Sequence, residues 1–185
     1  GRIVGRYGFT DVFVPSAPAD DGNAVGAAWL SHAEANPDWR APKGPLSPYL
    51  GSTVSTETFE RMQAWEPRLR KLARDEIAPA TATLLAQGKL VGWVQGRAEF
   101  GPRALGNRSI LADPRPAEAK DILNAKVKYR EAFRPFAPSI LAEHAPDWFE
   151  NYQDAPYMER TLVWKDAVRE RVPAVVHEDA SGRLQ

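Results

Sequence analysis

Apolar and polar positions along the chain follow two different periods, and the switches between them divide it into short elements. Small and apolar residues from Asn23 to Ala33 predict a closely packed helix whose Gly26, Ala27 and Ala28 admit a neighbouring backbone. Before it, Asp11 to Val14 reads as a strand that leaves through the turn formers Pro15 to Gly22. Pro37, Pro42, Gly44, Pro45, Pro48 and Gly51 mark residues 36–56 as a linker. Thr56 to Ala64 and Pro67 to Ala73 read as polar covering helices. From Glu76 to Gln87, Ile77, Ala80, Leu84 and Leu85 fall near helical spacing, with Pro79 expected in the first turn and Gly88 as the stop. Two apolar strands follow, Leu90 to Val94 and Ser109 to Ala112. A helix is predicted from Ala117 to Lys128, with Ile122, Leu123 and Val127 inward, then a basic, aromatic turn from Tyr129 to Leu141 that enters another strand. A short helix from Glu143 to Phe149 and strands at Thr161 to Trp164 and Pro173 to Val176 complete the series. Helices and strands mixed without strict βαβ repetition predict an α/β (α+β) fold, a twisted mixed sheet with flanking helices.

The loop between the two central strands carries the densest chemistry. Gly96, Gly101, Pro102 and Gly106 shape its backbone, and Arg97, Arg103 and Arg108 recur along it at intervals of five or six residues. Guanidinium groups on such a loop suit a compact oxyanion such as a phosphate; a basic surface turn is the plainer alternative. The formal net charge of the 185-residue chain is zero, so nonspecific attraction to nucleic acid or an anionic membrane is not expected. Residues 97–134, however, hold nine Lys/Arg against five Asp/Glu. A positive window within a neutral chain points to a local anion site.

A second basic group, Lys126, Lys128, Arg130 and Arg134 with Asn124, follows the first at the distance of one crossover helix. If both meet at one sheet edge, their mutual repulsion calls for a bound polyanion. Arg130 and Arg134 stand among Tyr129, Phe133, Pro135 and Phe136, and Glu99 and Glu131 are expected to orient arginines in the empty site. His32 and His144 read as ordinary helix residues, whereas His177 opens a polar strand-end loop that ends at Arg183; both join the candidate site. Asp20 and Asp21 read as an N-cap with a companion acid, or as a metal or nucleotide contact.

Cysteine is absent, so disulfides, zinc-thiolate sites and cysteine nucleophiles are excluded, and no Gly-x-x-x-x-Gly-Lys-Ser/Thr loop is present. No apolar run is long enough for a membrane helix, so the cytoplasm is the expected compartment, and no membrane is expected as a partner. The chain starts without Met at a strand pattern and stops nine residues after a buried one, as expected of part of a longer protein.

Glu99-Phe-Gly-Pro-Arg-Ala-Leu-Gly-Asn-Arg-Ser-Ile-Leu-Ala-Asp-Pro-Arg115, Asn124 through Lys128, Arg130-Glu131, Phe133-Arg-Pro-Phe-Ala-Pro-Ser139, Pro173-Ala-Val-Val-His-Glu-Asp179 and Arg183-Leu-Gln185 closely resemble the C-terminal region of the nodulation-type and antibiotic O-carbamoyltransferases. Phe13-Val-Pro15 and Asp20-Asp-Gly-Asn-Ala-Val-Gly-Ala-Ala28 resemble the end of that family's N-terminal, actin-like (ASKHA) domain. The resemblance implies an ASKHA remnant over residues 1–45, a linker and cover helix over 46–66, and a YrdC-like domain over 67–185. It further implies that carbamoyl phosphate and ATP form carbamoyl adenylate in the YrdC-like part. The rest of an ASKHA-type domain, absent here, would pass the carbamoyl group to a hydroxyl-bearing acceptor with a divalent metal, Mg or Fe. Asp20 matches the metal-binding aspartate. Arg103, Arg108 and Arg130 fall at the expected catalytic positions; Arg97, Gly101, Asn107, Ser109, Asn124, Lys128, Arg134, Ser139, His177 and Arg183 fall where the anionic substrates bind. An RNA- or anion-binding YrdC-like module without catalysis, and an inert folded fragment, are the alternative readings.

Overall fold

Strand β1 (Val91–Val94) pairs antiparallel with β2 (Arg108–Leu111), Trp93 opposite Ser109 and Val94 opposite Arg108. Alternating half-buried and exposed positions along β1 give it one inner face, with Val91 and Trp93 on it. The computed structural model describes residues 6–10, 12–44 and 46–185. A second ribbon, β3 (Leu162–Val163) and β4 (Ser181–Gly182), is also antiparallel. Among the described residues these two-stranded ribbons stand in place of the single mixed sheet expected from the sequence. The α+β character holds; the one-sheet arrangement is corrected.

Helix α1 (Asp20–Ala35) begins earlier than its apolar run, because Asp20 and Asp21 are accommodated in its first turn. There they meet the positive end of the helix dipole. The N-cap position is Ala19, with no side-chain cap, so neither acid caps the helix. Helix α2 (Thr56–Trp65) is capped by Ser55, whose side-chain oxygen accepts the Thr58 N–H at 3.1 Å. Helix α3 spans Arg74–Ala86 and starts with Glu76 accepting the Ala73 N–H at 2.8 Å. This earlier start places Pro79 in the helix interior rather than the first turn. Helix α4 (Ala119–Leu123) runs on as a π-helical turn, Asn124–Lys128, and ends at Tyr129 in a left-handed conformation.

The main core lies toward the end of the chain. Phe149 and Ala145 are each 1% exposed, and they pack with Ala155, Leu162, Trp164, Val172, Val175 and Leu184. Helices α5 (Ala145–Trp148) and α6 (Asp166–Arg169) border this cluster, and the Phe149 and Trp164 rings stand 4.2 Å apart. By contrast, α1, α2 and α3 bury no residue fully.

Four further expectations change. Pro173–Val175 is a 3₁₀ turn, not a strand; a short buried apolar run does not distinguish the two by periodicity. Residues 67–73 form a turn and extended chain, because the Glu66 side chain takes the Arg68 N–H at 3.0 Å and ends any helical continuation. Residues 12–14 are irregular, and Asp11 lies outside the described residues. Residues 138–140 make two backbone bonds with Gln185, without a strand ladder.

The expected linker is partly built into the fold. Gly51 N–H bonds the Ala98 carbonyl at 2.9 Å, Ala98 N–H bonds that of Ser52 at 2.9 Å, and Phe100 N–H bonds that of Pro48 at 2.6 Å. Residues 48–52 thereby clamp the base of the loop between β1 and β2. Tyr49 Oη adds a hydrogen bond to the Leu105 carbonyl at 3.0 Å.

Candidate functional site

The β1–β2 loop is organised around a carboxylate. Oε1 of Glu99 accepts the backbone N–H groups of Leu105 and Asn107 at 2.7 Å each, and that of Arg108 at 3.3 Å. Burial pushes the Glu99 carboxyl upward, but the N–H donors of Asn107, Leu105 and Arg108, with its own backbone, outweigh it and hold the carboxyl below its ordinary value. Glu99 therefore orients the loop backbone rather than an arginine, contrary to expectation. Asn107 completes the arrangement by donating from Nδ2 to the Arg97 carbonyl at 2.7 Å.

The loop arginines divide into two sets. Arg108 reaches four carbonyl oxygens, those of Gln95 at 2.8 Å, Asn107 at 2.7 Å, Ser52 at 3.0 Å and Gly96 at 3.3 Å. Arg97 donates to the Leu50 carbonyl at 2.8 Å. Both hold backbone together, and neither guanidinium belongs to the converging group described next. Arg103 is exposed and makes no hydrogen bond or ion pair to any described residue. Gly101 has φ +129°, and a Cβ there would stand 2.4 Å from the Ser16 carbonyl oxygen. Its role here is a close approach to the segment before α1. Ser109 lies in β2 opposite Trp93.

Three arginines converge. Arg183 follows β4, is half-buried, and its guanidinium pKa is lowered first by burial and then by the charges of Arg103 and Arg130. Its Nε is buried without a hydrogen-bond partner. Arg130 donates from Nε to Asn124 Oδ1 at 2.7 Å and lies 4.6 Å above the Phe136 ring. Its pKa is likewise lowered by burial and by Arg134, against a raising influence from Glu131. Asn124, 1% exposed, is fully used: Nδ2 donates to the Ala132 and Arg134 carbonyls at 3.3 and 3.0 Å while Oδ1 receives Arg130. It fixes the turn that presents Arg130.

Around this group the expected residues differ in their placement. Arg134 is exposed and pairs loosely with Glu131 at 3.9 Å. Lys128 and Ser139 are exposed beside it in sequence. Tyr129 and Phe133, 83% and 79% exposed, turn to solvent, so of the neighbouring aromatics only Phe136 packs on Arg130.

His177, on which the charge of Arg183 acts, is held by its own turn. Its Nδ1 lies 3.1 Å from Ser181 Oγ, and that hydroxyl donates to Asp179 Oδ1 at 2.6 Å. Asp179 also accepts the Ser181 N–H at 3.1 Å. Burial, then Arg183, lowers the His177 pKa against the raising effect of Asp179. Ser181 and Asp179 were not among the expected site residues; the His-x-Asp-x-Ser spacing across a tight turn was their one trace. A separate cavity of about 670 Å³, lined by Phe13, Trp29, Leu46, Leu50, Phe100 and Tyr157 among others, contains none of the converging arginines.

Asp20 is the exposed first residue of α1. No group of three or more His, Asp or Glu capable of holding a metal occurs among the described residues. No helix among them is long and apolar enough to cross a membrane.

Arg103 on the glycine-rich loop and Arg130 and Arg183 from two other segments lie near enough for the charges of the first two to act on Arg183, and comparison with known proteins gives the lineage of the chain. Residues 82–185 match the family described as Carbamoyltransferase C-terminus, and the chain belongs to that family. It is 45% identical to the nodulation protein NolO of Bradyrhizobium diazoefficiens, all of the chain matching 34% of that protein. It is 43% identical to the nodulation protein NolNO of Sinorhizobium fredii, where the whole chain covers 28%. An uncharacterised protein of Methanocaldococcus jannaschii is 36% identical, with the whole chain covering 31%. The chain thus spans about a third of the length of the curated relatives it matches.

Proposed function

We propose that this chain is the substrate-activating part of an O-carbamoyltransferase, and that Arg103, Arg130 and Arg183 grip the phosphoryl oxygens of carbamoyl phosphate and ATP. The observation that carries this reading is the crowding at Arg183, whose buried Nε has no hydrogen-bond partner and on which the charges of Arg103 and Arg130 act. An oxyanion relieves that repulsion and gains charge-assisted hydrogen bonds of about 1.5–3 kcal/mol each.

Carbamoyl adenylate forms when phosphate is released from carbamoyl phosphate to water and the carbamate oxygen attacks the α-phosphorus of ATP, expelling pyrophosphate. Negative charge concentrates on the phosphoryl oxygens in that step, and preorganised arginines stabilise it better than mobile water. Arg103 makes the catalytic contact from the loop, while Arg130 is held in place by Asn124 and Phe136. Arg108 acts by fixing the loop on which Arg103 rides. The YrdC-like and ASKHA-type division belongs to the same proposal, with a sugar- or antibiotic-like hydroxyl as acceptor. Asp20 would supply one carboxylate toward a divalent metal, with the remaining ligands coming from outside the described residues.

The test is carbamoyl-phosphate- and ATP-dependent turnover by the full-length protein, with calorimetric binding of each substrate. Arg103→Ala is expected to abolish turnover and weaken phosphate-ligand binding by roughly 10- to 100-fold with unchanged melting. An Arg103→Ala protein with normal turnover removes Arg103 from the site. Binding of random RNA with a steep salt dependence, and none of either substrate, favours the nucleic-acid alternative.

A further inference from the structure

Asn124 and Ser181 are the buried polar side chains among the described residues, and Asn124 is the more deeply placed at 1% exposure. A carboxamide in that position is costly unless its polar atoms are paired. Asn124 is paired completely, and to one short segment. Nδ2 spends its two protons on the Ala132 and Arg134 carbonyls, and Oδ1 accepts the Arg130 Nε–H at 2.7 Å. The main-chain carbonyl of Asn124 accepts the Tyr129 N–H, closing the π-helical turn, and the Arg130 N–H at 3.1 Å. Five hydrogen bonds therefore tie residues 129–134 to this one residue.

The turn is strained as well as tied. Tyr129 stands at φ 48° and ψ 53°, a left-handed conformation that disfavours any residue with a Cβ. Its ring is 83% exposed, so burial does not offset that strain; the bonds to Asn124 do. What the turn places is the next residue, Arg130.

Asn124 decides which edge of that guanidinium a ligand can meet. Nε is taken by Oδ1 and the Phe136 ring lies 4.6 Å away, while neither Nη bonds any described residue. The Nη1–Nη2 edge is the fork left for an oxyanion. The hold is also uncharged. Arg68 and Arg115 are gripped through Nε and Nη2 by the carboxylates of Glu66 and Asp113, whereas Arg130 meets an amide and a ring. Of the charges around it, Glu131 pairs loosely with Arg134, and Arg134 and Arg183 are cations. An aspartate at 124 would hold Nε equally well, but it would cancel the charge and offer no donor to the two carbonyls.

We propose that Asn124 is the positioning residue for Arg130, its neutral amide fixing the Nε side and leaving the full charge and the Nη1–Nη2 fork to a phosphoryl group. This rests on the proposed function above and deepens it. It also replaces the ligand contact expected of Asn124 from the sequence with a role exerted through another residue.

The experiment measures calorimetric binding of carbamoyl phosphate to the full-length protein, with melting curves, for Asn124→Ala, Arg130→Ala and the double variant. Asn124→Ala is expected to weaken binding roughly tenfold when Arg130 is present and not at all in the Arg130→Ala background, while lowering the melting temperature in both. Equal weakening in both backgrounds, or none in either, overturns the proposal, because a residue that serves the fold alone does not act through Arg130. Asn124→Asp keeps the acceptor and is expected to bind no better than Asn124→Ala; wild-type affinity in that variant overturns the neutral hold. Arg130→Lys decides the matter if no Asn124 variant folds, since it keeps the charge but puts a methylene where Nε stands. It is expected to bind as weakly as Arg130→Ala, and wild-type affinity there also overturns the proposal. If carbamoyl phosphate binds the wild type and the cycle is additive, the positioning role falls while the function stands. If it does not bind the wild type, the function fails and this role with it.

Discussion

The backbone nitrogen of Asn107 lies 2.7 Å from the Glu99 carboxylate, on the same oxygen that receives the Leu105 N–H. One acid eight residues upstream thus decides the course of a glycine-rich loop that would otherwise sample many conformations. The fixed loop is what gives Arg103 a defined position.

Glu99→Gln is expected to lower unfolding free energy by about 1–3 kcal/mol in urea titrations, since an amide accepts these N–H groups less strongly than a carboxylate. The pH dependence has a definite sign. Burial pushes the Glu99 carboxyl up, but its backbone N–H donors prevail and the folded value is depressed. Its contribution is complete above the unfolded glutamate value near 4.3 and is lost as pH falls toward and through the lower folded value. The wild type should lose stability in that acid window more steeply than Glu99→Gln; equal slopes would sink the assignment.

Arg108 and Arg103 sit five residues apart and should respond in opposite ways. Arg108→Ala leaves the carbonyls of Gln95, Gly96, Ser52 and Asn107 without their shared donor and should cost about 1–3 kcal/mol of stability. Arg103→Ala should leave thermal melting unchanged and act on phosphate-ligand affinity alone. Melting curves beside binding isotherms for the two variants check this pair of outcomes. A stable Arg108→Ala protein would show that residues 48–52 need no such tie.

Gly182→Ala tests the packing behind the site. A Cβ at Gly182 would stand 2.6 Å from Trp164 Nε1 and 3.0 Å from Cε2 of a side chain that is 2% exposed. Forcing that indole aside in the core is expected to cost about 1–3 kcal/mol and to lower the melting temperature by several degrees. Because Gly182 separates Ser181 from Arg183, carbamoyl-phosphate affinity should fall as well. A variant that melts like the wild type would show that Trp164 has room to move.

What the sequence settled by itself was local. The apolar runs of β1 and β2, the polar helix α2, the glycine-stopped helix α3, and the basic loop between the strands are readable because near neighbours in the chain determine them. The family was readable for the same reason, since Glu99 to Arg115 is one continuous run. Tertiary structure alone decided which arginines are tied to the backbone. Arg97 and Arg108 look no different from Arg103 in the sequence, but the carbonyls of Leu50 and Ser52, some fifty residues away in the chain, claim their guanidinium groups. Arg103, Arg130 and Arg183 come from three separated segments, and only folding brings their charges close enough to repel. Periodicity reports which face of an element is apolar; it carries no information about which distant backbone oxygen a long, flexible cation will find.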